Sequence, residues 1–271
     1  MKTAIPPGKV SLVGAGPGDP ELLTLRAWKL IRTARVVVYD NLVGDEIVAM
    51  IPDDAERVFV GKSSGNHTLP QEDINALLVT LAQRGLDVVR LKGGDPFIFG
   101  RGGEELDTLE AEGIPFEIVP GITTALAVGA SVGIPLTHRA HACSLTLTTG
   151  HLKDGQLDLD WQTLAHDRQT IAIYMGLAAL PKVCAELIAH GMPATTQGLV
   201  VQSATTPAQV TVSGNLSDLH ERVLAAGLRS PALILIGPVC ALYSRSREQV
   251  LLAARTPPKV VERLSILAAV S

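Results

Sequence analysis

The segment from residue 88 to residue 105 holds the densest group of side chains that could do chemistry. It reads VVRLKGGDPFIFGRGGEE, an apolar run that stops at a glycine pair and continues into a charged loop. Asp95, Arg101 and Glu104 lie within ten residues, and burying them in a structural turn would be costly. Ligands of parallel α/β sheets bind just outside the carboxyl ends of the strands, where glycines let the backbone approach closely. The segment is therefore predicted to form a binding loop.

The elements that must position this loop follow from the apolar pattern. The first half has predicted strands at residues 10–13, 36–39, 58–60, 88–91 and 116–119, with helices at 20–33, 44–51, 71–84 and 103–112. This alternation predicts right-handed crossovers and a mostly parallel sheet. The second half has predicted strands at 144–148, 171–174, 199–202, 209–213 and 233–236, with helices near 158–166, 178–190 and 215–226. The short spacing of its third and fourth strands predicts an antiparallel hairpin, and hence a mixed sheet.

These elements predict two α/β domains with a cleft between them. The N-terminal domain is predicted to cover residues 1–120, the C-terminal domain 121–246, and a tail 247–271. Two prolines interrupt the tail at 257–258, and residues 260–270 could form one more helix.

Composition and charge narrow the class of protein. Hydrophobic residues make up 46% of the chain and aromatic residues only 3%, a content that suits parallel sheets covered by helices. The net charge of −4 provides no basic field for nucleic acid or an anionic membrane. Cys143, Cys184 and Cys240 are widely separated and odd in number, so they offer neither a disulfide framework nor a zinc spacing, which favours a reducing cytoplasm. No signal peptide or membrane span is expected.

The glycine-rich loop at residues 14–19 raises an alternative of another class, a dinucleotide-binding oxidoreductase or sensor. The G-x-G-x-x-G fingerprint needs glycine where this chain has Asp19. That carboxylate would lie where a pyrophosphate binds, and it is better placed to cap the next helix. Asp40, at the end of the second strand, could hold a ribose hydroxyl or cap the following turn.

Four motifs in order resemble the tetrapyrrole methylase family, and within it the uroporphyrinogen-III C-methyltransferases. They are LVGAGPGDPELLT from residue 12, the segment 88–105, GIPLTHR from residue 133 and TGH from residue 149. The resemblance implies a tetrapyrrole methylase-like α/β fold with the active site in the cleft. It also implies S-adenosyl-L-methionine-dependent methylation of uroporphyrinogen III at C2 and C7. The products would be S-adenosyl-L-homocysteine and precorrin-2, for sirohaem, haem d1 or cobalamin biosynthesis. Sister enzymes that methylate later corrin intermediates are the nearest alternative.

The resemblance also implies roles for individual residues. It implies cofactor contacts for Pro17, Gly93, Gly94, Asp95, Ile98, Thr123, Thr124, Met175 and Ala204. It implies catalytic roles for Arg101 and Glu104, and makes Asp40 and Lys62 candidates for proton transfer. Substrate contacts are expected from Arg101, Arg139, His151 and Met175.

Elementary chemistry agrees with several of these roles. Uroporphyrinogen III carries carboxylic acid side chains that are mostly ionised at neutral pH, and a planar guanidinium binds carboxylates through paired hydrogen bonds. Arg101 is therefore expected to clamp the substrate. A general-base role is secondary because the pKa of arginine exceeds about 12. Glu104 could orient this guanidinium or accept a proton. The alternative for Arg101 is an ordinary ion pair with Glu104 or Glu105 at a helix start.

The remaining expectations concern what the reaction does not need. Methyl transfer to an electron-rich pyrrole carbon requires that carbon and methyl be held in near-attack geometry and that a proton be transferred afterwards. It needs no strongly activated nucleophile. No metal site is predicted, because His138 and His141 lack a third ligand at a recognisable spacing. Ser63 and Asn41 stand where the family often has basic residues, which reduces the positive charge near the substrate.

Only the methylation step is expected, without a dehydrogenase/chelatase module. A homodimer is expected from the family and from apolar surface on the helices near 178–190 and 215–226.

Overall fold

The computed structural model describes residues 5–61, 69–151 and 157–255. Within them the chain forms two five-stranded sheets joined by helices, an α/β fold as predicted. Lys62, Ser63 and the possible helix at 260–270 lie outside the described residues.

The first sheet is entirely parallel and has the order β3-β2-β4-β1-β5. Its strands are β1 (Val10–Gly14), β2 (Val36–Tyr39), β3 (Glu56–Phe59), β4 (Val88–Lys92) and β5 (Phe116–Val119). The helices between them are α1 (Leu25–Thr33), α2 (Asp45–Val48), α3 (Gln71–Gln83) and α4 (Gly102–Ala111). Every residue of the central strands β1 and β4 is buried, because helices cover both faces of the sheet. The carboxyl ends of all five strands lie at one edge.

The second sheet is mixed, as predicted, with the order β6-β7-β10-β8-β9. Its strands are β6 (Ser144–Thr149), β7 (Gln169–Tyr174), β8 (Gln197–Gln202), β9 (Val210–Asn215) and β10 (Ala232–Ile236). Strands β6 and β7 are parallel, and β8 and β9 form the expected antiparallel hairpin. The associated helices are α5 (Thr124–Val132), α6 (Trp161–Leu164), α7 (Leu180–Ala189), α8 (Leu219–Ala225) and α9 (Arg245–Arg255).

Several predicted helices are shorter than expected, among them the helix expected at 44–51, which is reduced to α2. The helix expected at 20–33 is divided into a 3-10 turn and α1, because the Thr24 side chain accepts the Ala27 N–H and caps α1. The helix expected at 215–226 begins only at Leu219, because β9 continues to Asn215. The helix expected near 158–166 is reduced to α6.

Helix α9 covers a segment for which the sequence predicted no definite structure. Its buried Glu248 accepts hydrogen bonds from Gln209 Nε2 (2.9 Å), Thr211 Oγ1 (2.5 Å) and the Tyr243 hydroxyl (2.6 Å). These bonds dock the helix beside β9. In the part of the chain that the structure describes, no helix is long and apolar enough to cross a membrane.

Glu117 on the edge strand β5 joins three elements through its carboxylate. Oε1 accepts a hydrogen bond from Ser11 Oγ at 2.8 Å and pairs with Lys9 Nζ at 2.7 Å, while Oε2 pairs with Arg26 Nη2 at 2.5 Å. Burial raises the pKa of Glu117, but the hydrogen bonds from Lys9, Arg26 and Ser11 outweigh it and lower the pKa from 4.5 to about 2.

Replacing Glu117 by glutamine should therefore destabilise the fold in a pH-dependent way. Because the folded-state pKa is depressed, the carboxylate stabilises the fold above the unfolded pKa, and this contribution is lost as the pH falls towards the folded pKa. We expect Glu117→Gln to lower the free energy of unfolding by about 2–3 kcal/mol at pH 7. Urea unfolding at pH 7 and pH 3 should give a clearly smaller difference at pH 3. The same difference at both pH values would contradict this prediction.

Candidate active site

Three loops at the carboxyl edge of the first sheet are held together by hydrogen bonds. The loops after β1 and β4 exchange hydrogen bonds, from Gly16 N–H to Gly94 O at 3.1 Å and from Gly94 N–H to Gly16 O at 2.6 Å. The loop after β5 joins them through Gly121, whose N–H donates to Asp95 Oδ2 at 3.0 Å. The Phe97 N–H donates to Asp95 Oδ1 at 2.9 Å. Asp95 therefore fixes two backbone segments and keeps further acceptor capacity for a ligand.

Glycine is required at this junction because the backbones touch. A Cβ atom at Gly121 would lie 2.2 Å from Gly94 O, and one at Gly14 would lie 2.5 Å from Gly121 N. Gly94 differs, since it has a φ of +66° and a Cβ there would have one described neighbour within 4 Å, Thr124 Oγ1 at 3.8 Å. The backbone at Gly94 thus faces space that a ligand can approach.

The second sheet contributes Tyr174, the last residue of β7. Its hydroxyl lies 2.7 Å from Thr123 Oγ1 and accepts the Ala125 N–H at 3.0 Å, so it caps α5 in place of a side chain from that helix. Its ring packs on Phe99, with ring centroids 4.9 Å apart. Burial raises the pKa of Tyr174. This side chain connects the β4 loop with the start of α5, and the exposed Met175 follows it in the chain.

The loop after β8 faces the loop after β1. Asp19 N–H donates to Thr205 Oγ1 at 3.3 Å, and a Cβ at Gly18 would lie 2.8 Å from Thr206 Cγ2. Pro17 precedes Gly18, and the buried Ala204 precedes Thr205. The residues expected to contact the cofactor therefore lie on loops that meet, including Ile98, whose N–H donates to Asp95 O within its own loop.

Backbone strain is concentrated on the same loops. Six non-glycine residues of the described chain have a positive φ, and all except Arg168 belong here: Phe99, Arg101, Met175, Ser203 and Thr205. Such conformations cost free energy and cluster at active sites and ligand clamps. The strain supports a functional assignment for these loops.

Arg101 and Glu104 form a bidentate ion pair at the start of α4. Arg101 Nε lies 2.8 Å from Glu104 Oε1, and Nη2 lies 2.5 Å from Oε2. Both side chains are about half exposed, at 55% and 53%. Hydrogen bonding to Arg101 lowers the pKa of Glu104, and the same bond raises the pKa of Arg101. The ordinary ion pair considered as an alternative is thus present, and it holds the guanidinium where a ligand can reach it.

A largely buried group of charges adjoins this pair through Glu105, which follows Glu104 in α4, and it was not predicted from the sequence. Arg90 Nη2 lies 3.0 Å from Asp40 Oδ2, and Arg90 Nε lies 3.0 Å from Glu105 Oε1. Lys92 Nζ lies 2.9 Å from the same Glu105 oxygen. Burial and the charge of Arg90 lower the pKa of Lys92 despite these carboxylates. The signal available in the sequence was two cations at alternate positions of an otherwise apolar strand, which places both on one face.

The expected substrate contacts are not all brought together. Gly150 N–H donates to Tyr174 O, which places the exposed His151 near Met175. Arg139 lies at the other end of β6 and β7, where its carbonyl accepts a hydrogen bond from Arg168 Nη2. At about 3.3 Å per residue, strand β7 separates Arg168 from Met175 by roughly 20 Å. Within one chain, Arg139 is therefore not grouped with the other predicted substrate contacts.

A cleft of about 890 Å³ adjoins these loops. It lies between the loops after β1 and β2 on one side and the loop after β8 on the other, and Leu252 and Ala253 of α9 complete its wall. Asp19, Asp45 and Glu46 line it, without a lysine or arginine among its described lining residues. Its acidic wall suits a cationic or neutral ligand better than a polyanion.

The fold and these motifs define a known family. The family model for Tetrapyrrole (Corrin/Porphyrin) Methylases matches residues 9–220. The chain therefore belongs to the tetrapyrrole methylase family.

Individual relatives agree with this membership. A siroheme synthase from Pseudoalteromonas atlantica is 55% identical over 238 residues, which cover 88% of this chain and 52% of that protein. The chain thus spans about half the length of the curated relatives it matches. A uroporphyrin-III C-methyl transferase from Thermus thermophilus, complexed with S-adenyl homocysteine, is 41% identical with a TM-score of 0.74, covering 87% of this chain and 100% of that one. A cobalt precorrin-4 methyltransferase is 31% identical with a TM-score of 0.77, covering 86% and 95%.

Proposed function

We propose that this protein is an S-adenosyl-L-methionine-dependent methyltransferase that converts uroporphyrinogen III to precorrin-2 by methylation at C2 and C7. The observation that carries the proposal is the meeting of the glycine loops after β1, β4 and β5 with the β7 and β8 loops. The similarity to the Thermus thermophilus enzyme with bound S-adenyl homocysteine supports it.

The residues at this junction fit the cofactor. The backbone at Gly94 is open to a ligand beside the Thr124 hydroxyl, and the Asp95 carboxylate can accept further hydrogen bonds from a ribose or an ammonium group. S-adenosyl-L-methionine, when bound, supplies an electrophilic methyl group. We assign further cofactor contacts to Pro17, Gly93, Ile98, Thr123, Met175 and Ala204.

The charged residues are assigned to the substrate and its proton. Arg101 clamps a substrate carboxylate, for which its half-exposed guanidinium is suited. Glu104 orients Arg101. Asp40 and Lys62 are assigned to proton transfer, and His151 and Met175 to substrate contact. The substrate contact proposed for Arg139 rests on the resemblance alone.

Two other functions are compatible with parts of the chain. An oxidoreductase would bind a pyrophosphate at the turn after the first glycine loop, yet the Asp19 carboxylate already accepts the Glu21 N–H there, at 2.9 Å. Of the two alternatives, methylation of a later corrin intermediate is the better supported, because the cobalt precorrin-4 methyltransferase shares the fold at 31% identity.

The test is an anaerobic methylation assay with labelled S-adenosyl-L-methionine and enzymatically generated uroporphyrinogen III. We expect label in a product with the mass and absorbance of precorrin-2. A later corrin intermediate and NAD(P) serve as parallel ligands. No transfer to uroporphyrinogen III would contradict the proposal, and transfer only to the later intermediate would favour the sister activity.

We also propose a homodimer of two-domain protomers, with the domain boundary near residue 120 and a cytoplasmic location. Exposed apolar side chains such as Leu224 on α8, which is 66% exposed, support association. Light scattering at micromolar concentration should give twice the chain mass of 28.5 kDa. A species of monomer mass alone would contradict the dimer.

A further inference from the structure

We propose that Arg90 is a positioning residue of this site. In this role it holds the Asp40 carboxylate and the first turn of α4 in one fixed arrangement. The inference rests on the proposed function, because it links Arg90 to a reaction that Asp40 and Arg101 would serve.

One guanidinium spans three elements. Arg90 is only 3% exposed. Its Nη2 donates to Asp40 Oδ2 at the end of β2, its Nε donates to Glu105 Oε1 on α4, and its Nη1 donates to Leu91 O on its own strand at 3.1 Å. A planar guanidinium has donors pointing in several fixed directions, which an ammonium group cannot reproduce.

The position of Arg90 in the sheet does not call for a charge. Its register partners are Leu12 on β1 and Val38 on β2, and these two residues belong with Val88 to one buried apolar cluster. An aliphatic side chain would suit this row, and buried ion pairs are often no more stabilising than apolar residues of similar volume. The need to hold Asp40 and α4 in position at the neighbouring site explains this arginine better than a contribution to stability does.

The hydrogen bond between Arg90 and Glu105 links Arg90 to the helix turn that carries the partner of Arg101. Glu105 is completely buried and follows Glu104, the partner of Arg101. Its Oε1 accepts all its hydrogen bonds, from Arg90, from Lys92 and, at 3.3 Å, from Gln71. Its Oε2 has no partner among the described residues. The orientation of this carboxylate therefore depends on donors at a single oxygen, whereas Asn75 Nδ2 also donates to Glu104 O on the same turn, at 3.1 Å.

The contact with Asp40 fixes the outward-facing member of the group. Asp40 Oδ2 is held by Arg90, and Oδ1 accepts the Leu42 N–H at 3.0 Å. The Asp40 side chain is 24% exposed, whereas those of Arg90 and Glu105 are nearly or completely buried. A carboxylate held at both oxygens and open on one side is oriented in advance for a proton or a substrate group.

The experiment is a double-mutant cycle with Arg90→Gln, Asp40→Asn and the combined variant. Arg90→Gln should lower the single-turnover methylation rate by about tenfold or more. Its affinity for S-adenosyl-L-homocysteine, measured by calorimetry, should stay within about twofold of wild type. In the Asp40→Asn background the same substitution should lower the rate by a smaller factor, because only the contact with Glu105 is then left to lose. Arg90→Lys should restore only part of the rate.

Two further variants guard against a loss of folding. Arg90→Gln combined with Glu105→Gln removes one charge of each sign, so the buried group stays neutral. This pair should fold and still turn over slowly. Arg57→Gln removes an arginine from the partly exposed pair with Asp53 and should leave turnover unchanged.

The outcomes separate the inference from the proposed function. Amide hydrogen exchange at residues 40–44 and 101–105 reports on positioning without any activity. It should accelerate in the Arg90 variants but not in Arg57→Gln. The inference would be overturned by unchanged amide exchange or by an unchanged methylation rate in the Arg90 variants. It would also be overturned if Arg90→Gln lowered the rate by the same factor in the wild-type and Asp40→Asn backgrounds. Absence of methylation by the wild-type protein would instead contradict the proposed function.

Discussion

Arg101→Ala should abolish methyl transfer while S-adenosyl-L-homocysteine still binds with nearly wild-type affinity. The Arg101 guanidinium is half exposed and pairs only with Glu104 among the described ion pairs, so its removal leaves the Gly94 and Asp95 contacts intact. Substrate carboxylates, in contrast, lose a bidentate donor. Arg101→Lys should not fully restore turnover, because an ammonium cannot reproduce the guanidinium fork.

Asp95→Ala is the matched comparison for Arg101→Ala. It should weaken cofactor binding, since it removes hydrogen bonds to a charged group worth about 1.5–3 kcal/mol each. It also releases the Gly121 and Phe97 amides that shape the loop. Calorimetric titration of S-adenosyl-L-homocysteine and single-turnover assays measure both effects. If Arg101→Ala loses cofactor affinity as severely as Asp95→Ala, the assignment of Arg101 to the substrate is wrong.

The second large effect is expected from Gly121→Ala. The added Cβ would lie 2.2 Å from Gly94 O and 2.8 Å from Gly14 Cα. Both atoms belong to backbone, so the loops after β1, β4 and β5 must move apart. We expect the free energy of unfolding to fall by about 1–3 kcal/mol. Affinity for S-adenosyl-L-homocysteine should fall by about tenfold or more, since a displacement near 1 Å is enough to disrupt a site.

Gly103→Ala is the control for this substitution. A Cβ there would meet no described atom within 4 Å, and Gly103 lies in α4. Alanine should therefore stabilise the helix by about 0.5–1 kcal/mol and leave cofactor affinity unchanged. Thermal unfolding and calorimetry test both variants. Wild-type affinity in Gly121→Ala would mean that this packing does not shape the cofactor site.

The strands of the fold could be predicted because their signal is local. The β-branched runs of β1, β2 and β4 stop at glycine or charged residues, and the short spacing of β8 and β9 marks a hairpin. The order of the strands has no comparable signal, since it depends on contacts between distant segments. Helix lengths were overestimated where a capping side chain sets the start of the helix inside a longer helical pattern. Thr24 does this at the start of α1.

The candidate site was predicted in part for the same reason. The charged loop at 93–105 stands out in sequence, whereas Arg90 and Tyr174 lie inside apolar strands. Their partners are distant in the chain: Arg90 and Asp40 are 50 residues apart, and Tyr174 and Thr123 are 51 apart. Only the folded sheets bring these pairs together. Periodicity could have marked Arg90 and Lys92 as unusual, but not what they bind.

The position of β10 has a consequence for the synthesis of the protein. The last strand of the described residues lies in the middle of the second sheet, paired with β7 on one side and β8 on the other. All strands of the first sheet have been translated by residue 119, so that sheet can form early on the ribosome. Strands β6 and β7 cannot be joined to β8 and β9 in this sheet until residues 232–236 emerge, because β10 lies between them. A chain interrupted before then would carry the strands of the first sheet and two additional open strand edges, at β7 and β8, which favour pairing with another chain.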